Sequence, residues 1–205
     1  EGACRGNRNT FRDEGGVRGL FLDTVGVPRD APQWGTMALA TTARSGLSHR
    51  TAWLKAGWGT SALDFWDDFH GDGRLEAREA DGEEMPIASL AVGFTVAPRA
   101  TREVTFLIGW HFPNRRTWTP CQEGECGDDV IGNWYATRYA DAWDVVARTA
   151  RDLRRLEAQT VRFVAAFCAS DLPAVVQEAA LFNLSTLRTQ TCFRTPDGAL
   201  VGWEG

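Results

Sequence analysis

The chain has 205 residues, enough for one large domain or parts of two, since domains commonly hold about 100–200 residues. Hydrophobic residues make up 43% and charged residues 24%, a composition typical of a folded protein rather than a disordered one. The net charge of -5 comes without a basic cluster, which argues against nucleic acid binding, and no apolar run approaches the ~20 residues of a membrane span.

The first 130 residues carry the alternating pattern of β-strands. Segments 37–42 and 51–54 are predicted as short strands, but the clearest signal lies between Ile87 and Phe112. There, apolar residues alternate with smaller or polar ones on both sides of a short Pro-Arg-Ala connection, which predicts a hairpin. Its buried face is expected to hold Leu90, Val92, Phe94, Val96, Val104, Phe106, Ile108 and Trp110. The pattern favours an antiparallel β-sandwich.

An acidic stretch at residues 68–79 partly matches a calcium-binding loop. Asp68, Asp72, Gly73 and Glu79 occupy four of the characteristic positions, but His70 stands where Asp or Asn is expected. A solvated acidic turn is the favoured interpretation. The five cysteines have no metal-type spacing either, so no metal site is predicted.

Beyond Gly132 the spacing of apolar residues along the sequence changes from two positions to three or four. A stripe from Trp143 to Phe167 predicts one long amphipathic helix. The segment 170–173 (SDLP) is expected to interrupt it, and a second helix is predicted from Val175 to Leu187. Residues 196–198 (PDG) are typical of a turn, followed by an extended segment at 199–203.

Four segments together resemble glycoside hydrolase family 116, which includes bacterial β-glucosidases and the animal non-lysosomal glucosylceramidase. They are residues 86–92 (PIASLAV), 109–115 (GWHFPNR), 132–143 (GNWYATRY, then DAW) and 181–205 (LFNLSTLR, TCFR and GWEG). Each segment alone is modest, but their shared order over residues 36–205 makes the resemblance fairly specific.

The resemblance implies a two-domain protein. Residues 1–130 would be the C-terminal part of an N-terminal β-sandwich, and residues 131–205 the first helices of an (α/α)6 barrel. The piece starts with Glu1 rather than Met, so we expect the true N-terminus to lie upstream.

The resemblance also implies retaining hydrolysis of β-glucosides through a covalent glycosyl-enzyme intermediate. The nucleophile of the family corresponds to Glu204, while the acid/base Asp and the sugar-binding residues would lie beyond Gly205. The 205-residue piece alone is therefore expected to be inactive. The implied substrate is a β-glucoside or a glycolipid such as a glucosylceramide, and no cofactor is expected.

Two residues are thus candidate site residues. A Glu beside a Gly is usually only a solvated carboxylate, so the nucleophile role of Glu204 depends on the resemblance. Trp203 could shape an apolar wall for the sugar. His111 lies in the GWHFPNR segment without a Ser or Cys nucleophile pattern, so a structural role is expected for it.

Two other functions stay open. The chain could be a non-catalytic carbohydrate-binding or structural β-sandwich, in which case the full protein would bind glycans without hydrolysing them. It could also belong to a helical-barrel hydrolase with an inverting mechanism, which the stereochemistry of the product would separate from a retaining one.

Overall fold

The computed structural model describes residues 6–79, 85–116, 130–188 and 191–202 of the chain. Six strands form its β-rich part: β1 (Asn7–Glu14), β2 (Val17–Thr24), β3 (Thr36–Thr41), β4 (Leu47–Arg50), β5 (Ser89–Val92) and β6 (Phe106–His111). Four of them make one antiparallel sheet in the order β1-β2-β3-β6, and β4 pairs with β5. The predicted strand at 37–42 is confirmed as β3, whereas 51–54 is not a strand, because the pairing ends at Arg50.

The turn between β1 and β2 is a two-residue glycine turn. Gly15 and Gly16 both have positive φ, +65° and +84°, a backbone region that glycine enters without steric cost. Two successive positive φ angles give the turn a twist that matches the flanking strands, and the register runs unbroken from Glu14–Val17 to Asn7–Thr24.

The β4–β5 pair packs against one face of the main sheet at its β1 side. The ring of His49 in β4 stacks on that of Phe11 in β1, with centroids 4.1 Å apart. Asn9 donates hydrogen bonds from Nδ2 to the carbonyl oxygens of Thr51 (2.9 Å) and Pro86 (2.7 Å). These contacts produce two β layers over this part of the sheet.

The opposite face of the sheet is covered by the start of helix α2 (Ala142–Cys168). The resulting core consists of Val17, Phe21, Ala38, Ala40, Ala142, Trp143 and Val146. The helix approaches β6 closely at Gly109, where an added Cβ would lie 2.9 Å from a methyl group of Val146. The first turns of α2 are therefore part of the sheet core.

The predicted hairpin between Ile87 and Phe112 is wrong. Its two strands belong to different sheets, since β5 pairs with β4 and β6 pairs with β3. The buried face of β6 was also assigned incorrectly: Ile108 is 70% and Trp110 62% exposed, while Gly109 and His111 face α2. Alternation gives the period of a strand, but not which of two apolar faces is covered.

The predicted acidic turn at 68–79 is wrong for its first residues, which complete helix α1 (Thr60–Asp72). Asp68 forms an ion pair with Arg50 (2.7 Å) and accepts a hydrogen bond from the backbone N–H of Glu76 (3.1 Å). Asp72 accepts from the N–H of Arg74 at 2.9 Å. These carboxylates therefore stabilise the fold locally.

The helical part agrees with the predicted change of period. α2 begins at Ala142, where Asp141 accepts a hydrogen bond from the N–H of Asp144 (2.8 Å), an N-cap. The predicted interruption is confirmed, and α3 (Ala174–Asn183) continues as a 3₁₀ helix. The described chain ends in a short hairpin, β7 (Cys192–Arg194) and β8 (Leu200–Gly202). Within the described ranges, no helix combines the length and apolarity needed to cross a membrane.

Candidate functional site

A cleft of about 590 Å³ lies where the end of β6, the 3₁₀ helix Trp134–Thr137 and the β7–β8 hairpin meet. Aromatic and cationic side chains dominate its wall. They are Trp110, Phe112, Trp134, Tyr135 and Phe193 among the aromatics, and Arg115, Arg116 and Arg194 among the cations. No carboxylate is among the described residues of this wall. The cleft therefore offers flat apolar surfaces together with hydrogen-bond donors.

Tyr135 ties the 3₁₀ helix to the segment after β6. Its hydroxyl donates to the carbonyl oxygen of Phe112 (2.7 Å) and accepts from the N–H of Phe112 (3.2 Å) and from Asn133 Nδ2 (3.3 Å). Burial raises the pKa of the Tyr135 phenol above its usual value, so the hydroxyl keeps its proton at neutral pH. One wall of the cleft is thereby held by three hydrogen bonds to a single neutral hydroxyl.

Three guanidinium groups lie over aromatic rings, two of them in the cleft wall and one beside it. Arg115 Cζ lies 3.7 Å from the centroid of Phe193, and Arg194 Cζ lies 4.3 Å from that of Trp134. Arg138 Cζ is 5.1 Å from the same Trp134 ring, but Arg138 does not line the cleft. Burial lowers the pKa of Arg115, yet arginine stays cationic near neutral pH. These contacts join the β7–β8 hairpin to the remainder of the cleft.

The turn between β7 and β8 confirms the prediction for residues 196–198. Gly198 has a φ of +94° and donates its N–H to the carbonyl of Thr195 at 2.8 Å. Asp197 accepts hydrogen bonds from the Thr195 hydroxyl and from the N–H of Ala199, and the first of these lowers the pKa of its carboxyl. The register then places Arg194 opposite Leu200 and Cys192 opposite Gly202.

His111 lies behind the cleft, not in its wall. Its side chain is 3% exposed, and Nε2 makes a 2.9 Å hydrogen bond with the carbonyl oxygen of Tyr139. The ring of Tyr135 meets it edge-on at 5.5 Å. A buried imidazole bonded to backbone has a structural role here, linking β6 to the chain segment that precedes α2.

The two predicted site residues, Glu204 and Trp203, lie outside the described residues. Gly202 is the last described residue of β8. Leu200, in the same strand, lines the cleft. Among the described ranges, no three His, Cys, Asp or Glu side chains are arranged to hold a metal ion.

Sequence reasoning did not identify the cleft, although most of its lining residues lie in the quoted segments. Trp110 and Phe112 belong to GWHFPNR, Trp134 and Tyr135 to GNWYATRY, and Arg194 to TCFR. A signal that could have found them is the concentration of aromatic and Arg residues in three separate segments. Their convergence required the fold, because they come from positions up to 84 residues apart.

Comparison with protein families matches residues 3–156 to the family model described as "beta-glucosidase 2, glycosyl-hydrolase family 116 N-term". The match covers well over half of the chain, from β1 through the first half of α2. A search of curated proteins finds no match. The family match agrees with the resemblance carried by residues 86–92, 109–115 and 132–143. The chain belongs to glycoside hydrolase family 116.

Proposed function

We propose that the protein is a retaining glycoside hydrolase that acts on β-glucosides, of the β-glucosidase or glucosylceramidase type, and that Glu204 is its nucleophile. The observation that carries this proposal is the family match over residues 3–156. The position of the cleft supports it further, because Glu204 follows by two residues the strand whose Leu200 lines the cleft wall.

The proposed reaction has two steps. The ionised carboxylate of Glu204 attacks the anomeric carbon, the bond to the aglycone oxygen breaks, and a protonated carboxylic acid gives that oxygen its proton. In the second step the same acid residue, now a base, takes a proton from water. The water oxygen bonds to the anomeric carbon and releases Glu204, so two inversions retain the configuration. We propose that the acid/base group is an Asp following Gly205 in the chain.

We also propose a division of the protein near residue 131, with α2 and α3 as the first helices of an (α/α)6 barrel. α2 would connect the two parts. Its first turns lie in the sheet core, but apolar side chains of its C-terminal half and of α3 are exposed. These are Val161, Phe163, Val164, Val175, Val176 and Phe182. Further helices would bury this surface.

The anomeric configuration of the first product tests the mechanism. The full-length protein should release β-glucose from an aryl β-glucoside, as followed by proton NMR before mutarotation. Glu204→Gln should lower kcat by several orders of magnitude, because the variant keeps the shape and loses the charge. Glu157→Gln is a matched control, since Glu157 is an exposed residue of α2, and this variant should keep wild-type turnover.

Two other outcomes would identify a different function. Release of α-glucose would indicate an inverting hydrolase. Saturable binding of glucosides with no turnover in the wild-type protein would support the non-catalytic carbohydrate-binding module instead.

A further inference from the structure

The β7–β8 hairpin is short, and its second strand is exposed. Each strand holds three residues, and Leu200 and Val201 of β8 are 68% and 40% exposed. A two-stranded hairpin is only marginally stable in water unless it packs against another part of the protein. The position of this hairpin therefore depends on the contacts that its side chains make with neighbouring segments.

Two cation–π contacts join β7 to segments that precede α2. The guanidinium of Arg194 lies over Trp134 of the 3₁₀ helix, with Cζ 4.3 Å from the ring centroid. The guanidinium of Arg115, which follows β6, lies over Phe193 at 3.7 Å. Arginine keeps its charge at neutral pH, so both contacts persist under working conditions.

The turn of the hairpin packs against the segment that leads into Trp134. Pro196 approaches Gly132 so closely that a Cβ added to Gly132 would lie 3.2 Å from Pro196 Cγ. Within the hairpin, Arg194 Nε donates to the carbonyl oxygen of Gly198 at 3.0 Å. The guanidinium that lies over Trp134 is thus also tied to the turn, and Trp134 acts on β7 and on the turn together.

The hairpin leads directly to the proposed nucleophile. Glu204 follows Gly202, the last residue of β8, by two residues. A reacting group has to be held close to its productive geometry, since a misplacement of about 1 Å can cost about a hundredfold in rate. A hairpin held only by its own hydrogen bonds would not provide that precision.

We propose that Trp134 is a positioning residue for Glu204, and that it acts through Arg194 and the β7–β8 hairpin. The inference rests on the proposed function, in which Glu204 is the nucleophile. Trp134 takes no chemical part in the reaction. It holds the hairpin that leads to Glu204, so its loss should slow formation of the glycosyl-enzyme bond without weakening the binding of the sugar.

The test follows inactivation of the full-length protein by a 2-deoxy-2-fluoro β-glucoside. Trp134→Leu should lower the maximal rate constant of inactivation about tenfold, while the concentration that gives half of this rate stays within about twofold of wild type. Trp134→Phe keeps a ring beneath the guanidinium and should recover most of the loss. Active sites are counted from the fraction of protein labelled at completion. A role in stability alone would lower that fraction and leave the rate constant of each active site unchanged.

Arg138→Leu is the matched control. Arg138 Cζ lies 5.1 Å from the same Trp134 ring, but Arg138 belongs neither to the hairpin nor to the cleft wall. Its replacement should leave the rate constant within about twofold of wild type. Arg194→Leu should lower the rate constant at least as much as Trp134→Leu, and the double variant should match Arg194→Leu, because the two residues act through one contact.

Three results would overturn the inference. They are an unchanged rate constant in Trp134→Leu, an equal fall in Arg138→Leu, and a change confined to the concentration for half-maximal rate. The last of these would make Trp134 a surface that binds the substrate.

Hydrogen–deuterium exchange of residues 192–202 separates this inference from the proposed function. Trp134→Leu should raise the exchange rates of the hairpin amides about fivefold, and Arg138→Leu should leave them unchanged. If the wild-type protein is neither labelled nor active on β-glucosides, the glucosidase proposal fails, and exchange alone decides whether Trp134 holds the hairpin. Normal labelling of the wild type, with exchange in Trp134→Leu equal to wild type, would overturn the inference and leave the proposed function standing.

Discussion

Arg50 is the residue whose replacement should most directly weaken the attachment of α1 to the β4–β5 pair. Its side chain is fully buried and forms ion pairs with Asp64 (3.1 Å) and Asp68 (2.7 Å) of the helix. Nε also donates to the carbonyl oxygen of Glu76 at 3.1 Å. No residue of α1 is fully buried, so this network acts together with the stacking of Phe65 on Trp53 (4.6 Å) to attach the helix.

The expected cost of Arg50→Met is about 3 kcal/mol. Removal of one partner from a buried ion pair costs about 3–5 kcal/mol, because the other charge stays desolvated. The side chains of Asp64 and Asp68 are 23% and 13% exposed, and Asp64 also pairs with Arg78 at 3.0 Å. Both carboxylates would therefore be only partly desolvated in the variant, so we take the lower end of that range. About 3 kcal/mol corresponds to more than a hundredfold in the opening equilibrium.

Hydrogen–deuterium exchange of the peptides that cover α1 measures this opening in the full-length protein. Arg50→Met should raise the exchange rates of α1 amides by two orders of magnitude. Arg8→Met is the matched control, because Arg8 pairs with Asp23 (2.6 Å) at the surface and such pairs contribute below about 1 kcal/mol. Exchange in α1 that rises less than threefold in Arg50→Met would refute the reasoning.

Three further predictions concern the sheet, its helix and its pH dependence. Trp143→Ala should destabilise the protein by about 3–5 kcal/mol in denaturant unfolding, because Trp143 is 5% exposed in the core. Trp143→Phe should cost less than half as much, since the buried indole N–H has no partner among the described residues, and equal costs would contradict this packing. Asp141→Ala should lower the free energy of unfolding by about 1 kcal/mol through loss of the α2 N-cap. Asp152→Ala, in the middle of the helix, should lower it by less. The reverse order would exclude a capping role for Asp141. Burial lowers the pKa of His49 in the folded state. As the pH falls, the unfolded chain therefore takes up the His49 proton before the folded protein does. Stability should fall as pH drops below about 6.5 and level off below the lowered pKa. His49→Phe keeps a ring on Phe11 and should reduce this slope in melting temperature against pH, and an unchanged slope would assign it to other groups.

The helices could be predicted from sequence because one property, the spacing of the apolar residues, decides where they form. A period between three and four, repeated over more than 20 residues of α2, leaves few alternatives, and Pro173 marks the start of the next helix. The β-rich part was harder, because β2, β3 and β6 carry apolar residues on both faces. Ile108 and Trp110 of β6 are exposed, so hydrophobicity did not identify the covered face.

The β1–β2 hairpin carried a local signal that sequence analysis did not use. Gly15-Gly16 between two polar-apolar segments is typical of a two-residue turn. The cleft is a different case. Arg194 and Trp134 are 60 positions apart, and nothing local to either predicts that the guanidinium would stack on the indole. Such pairs depend on long-range packing, which periodicity does not encode.

The most direct test of the central claim is to trap the glycosyl-enzyme intermediate. Full-length protein is incubated with a 2-deoxy-2-fluoro β-glucoside carrying a good leaving group, digested, and analysed by mass spectrometry to locate the labelled peptide. We expect a single label on Glu204, and none in Glu204→Gln, because a retaining enzyme forms its covalent bond through one carboxylate. A label on another carboxylate would contradict the assignment of Glu204. The absence of any label, together with an inverted product, would contradict the retaining mechanism itself.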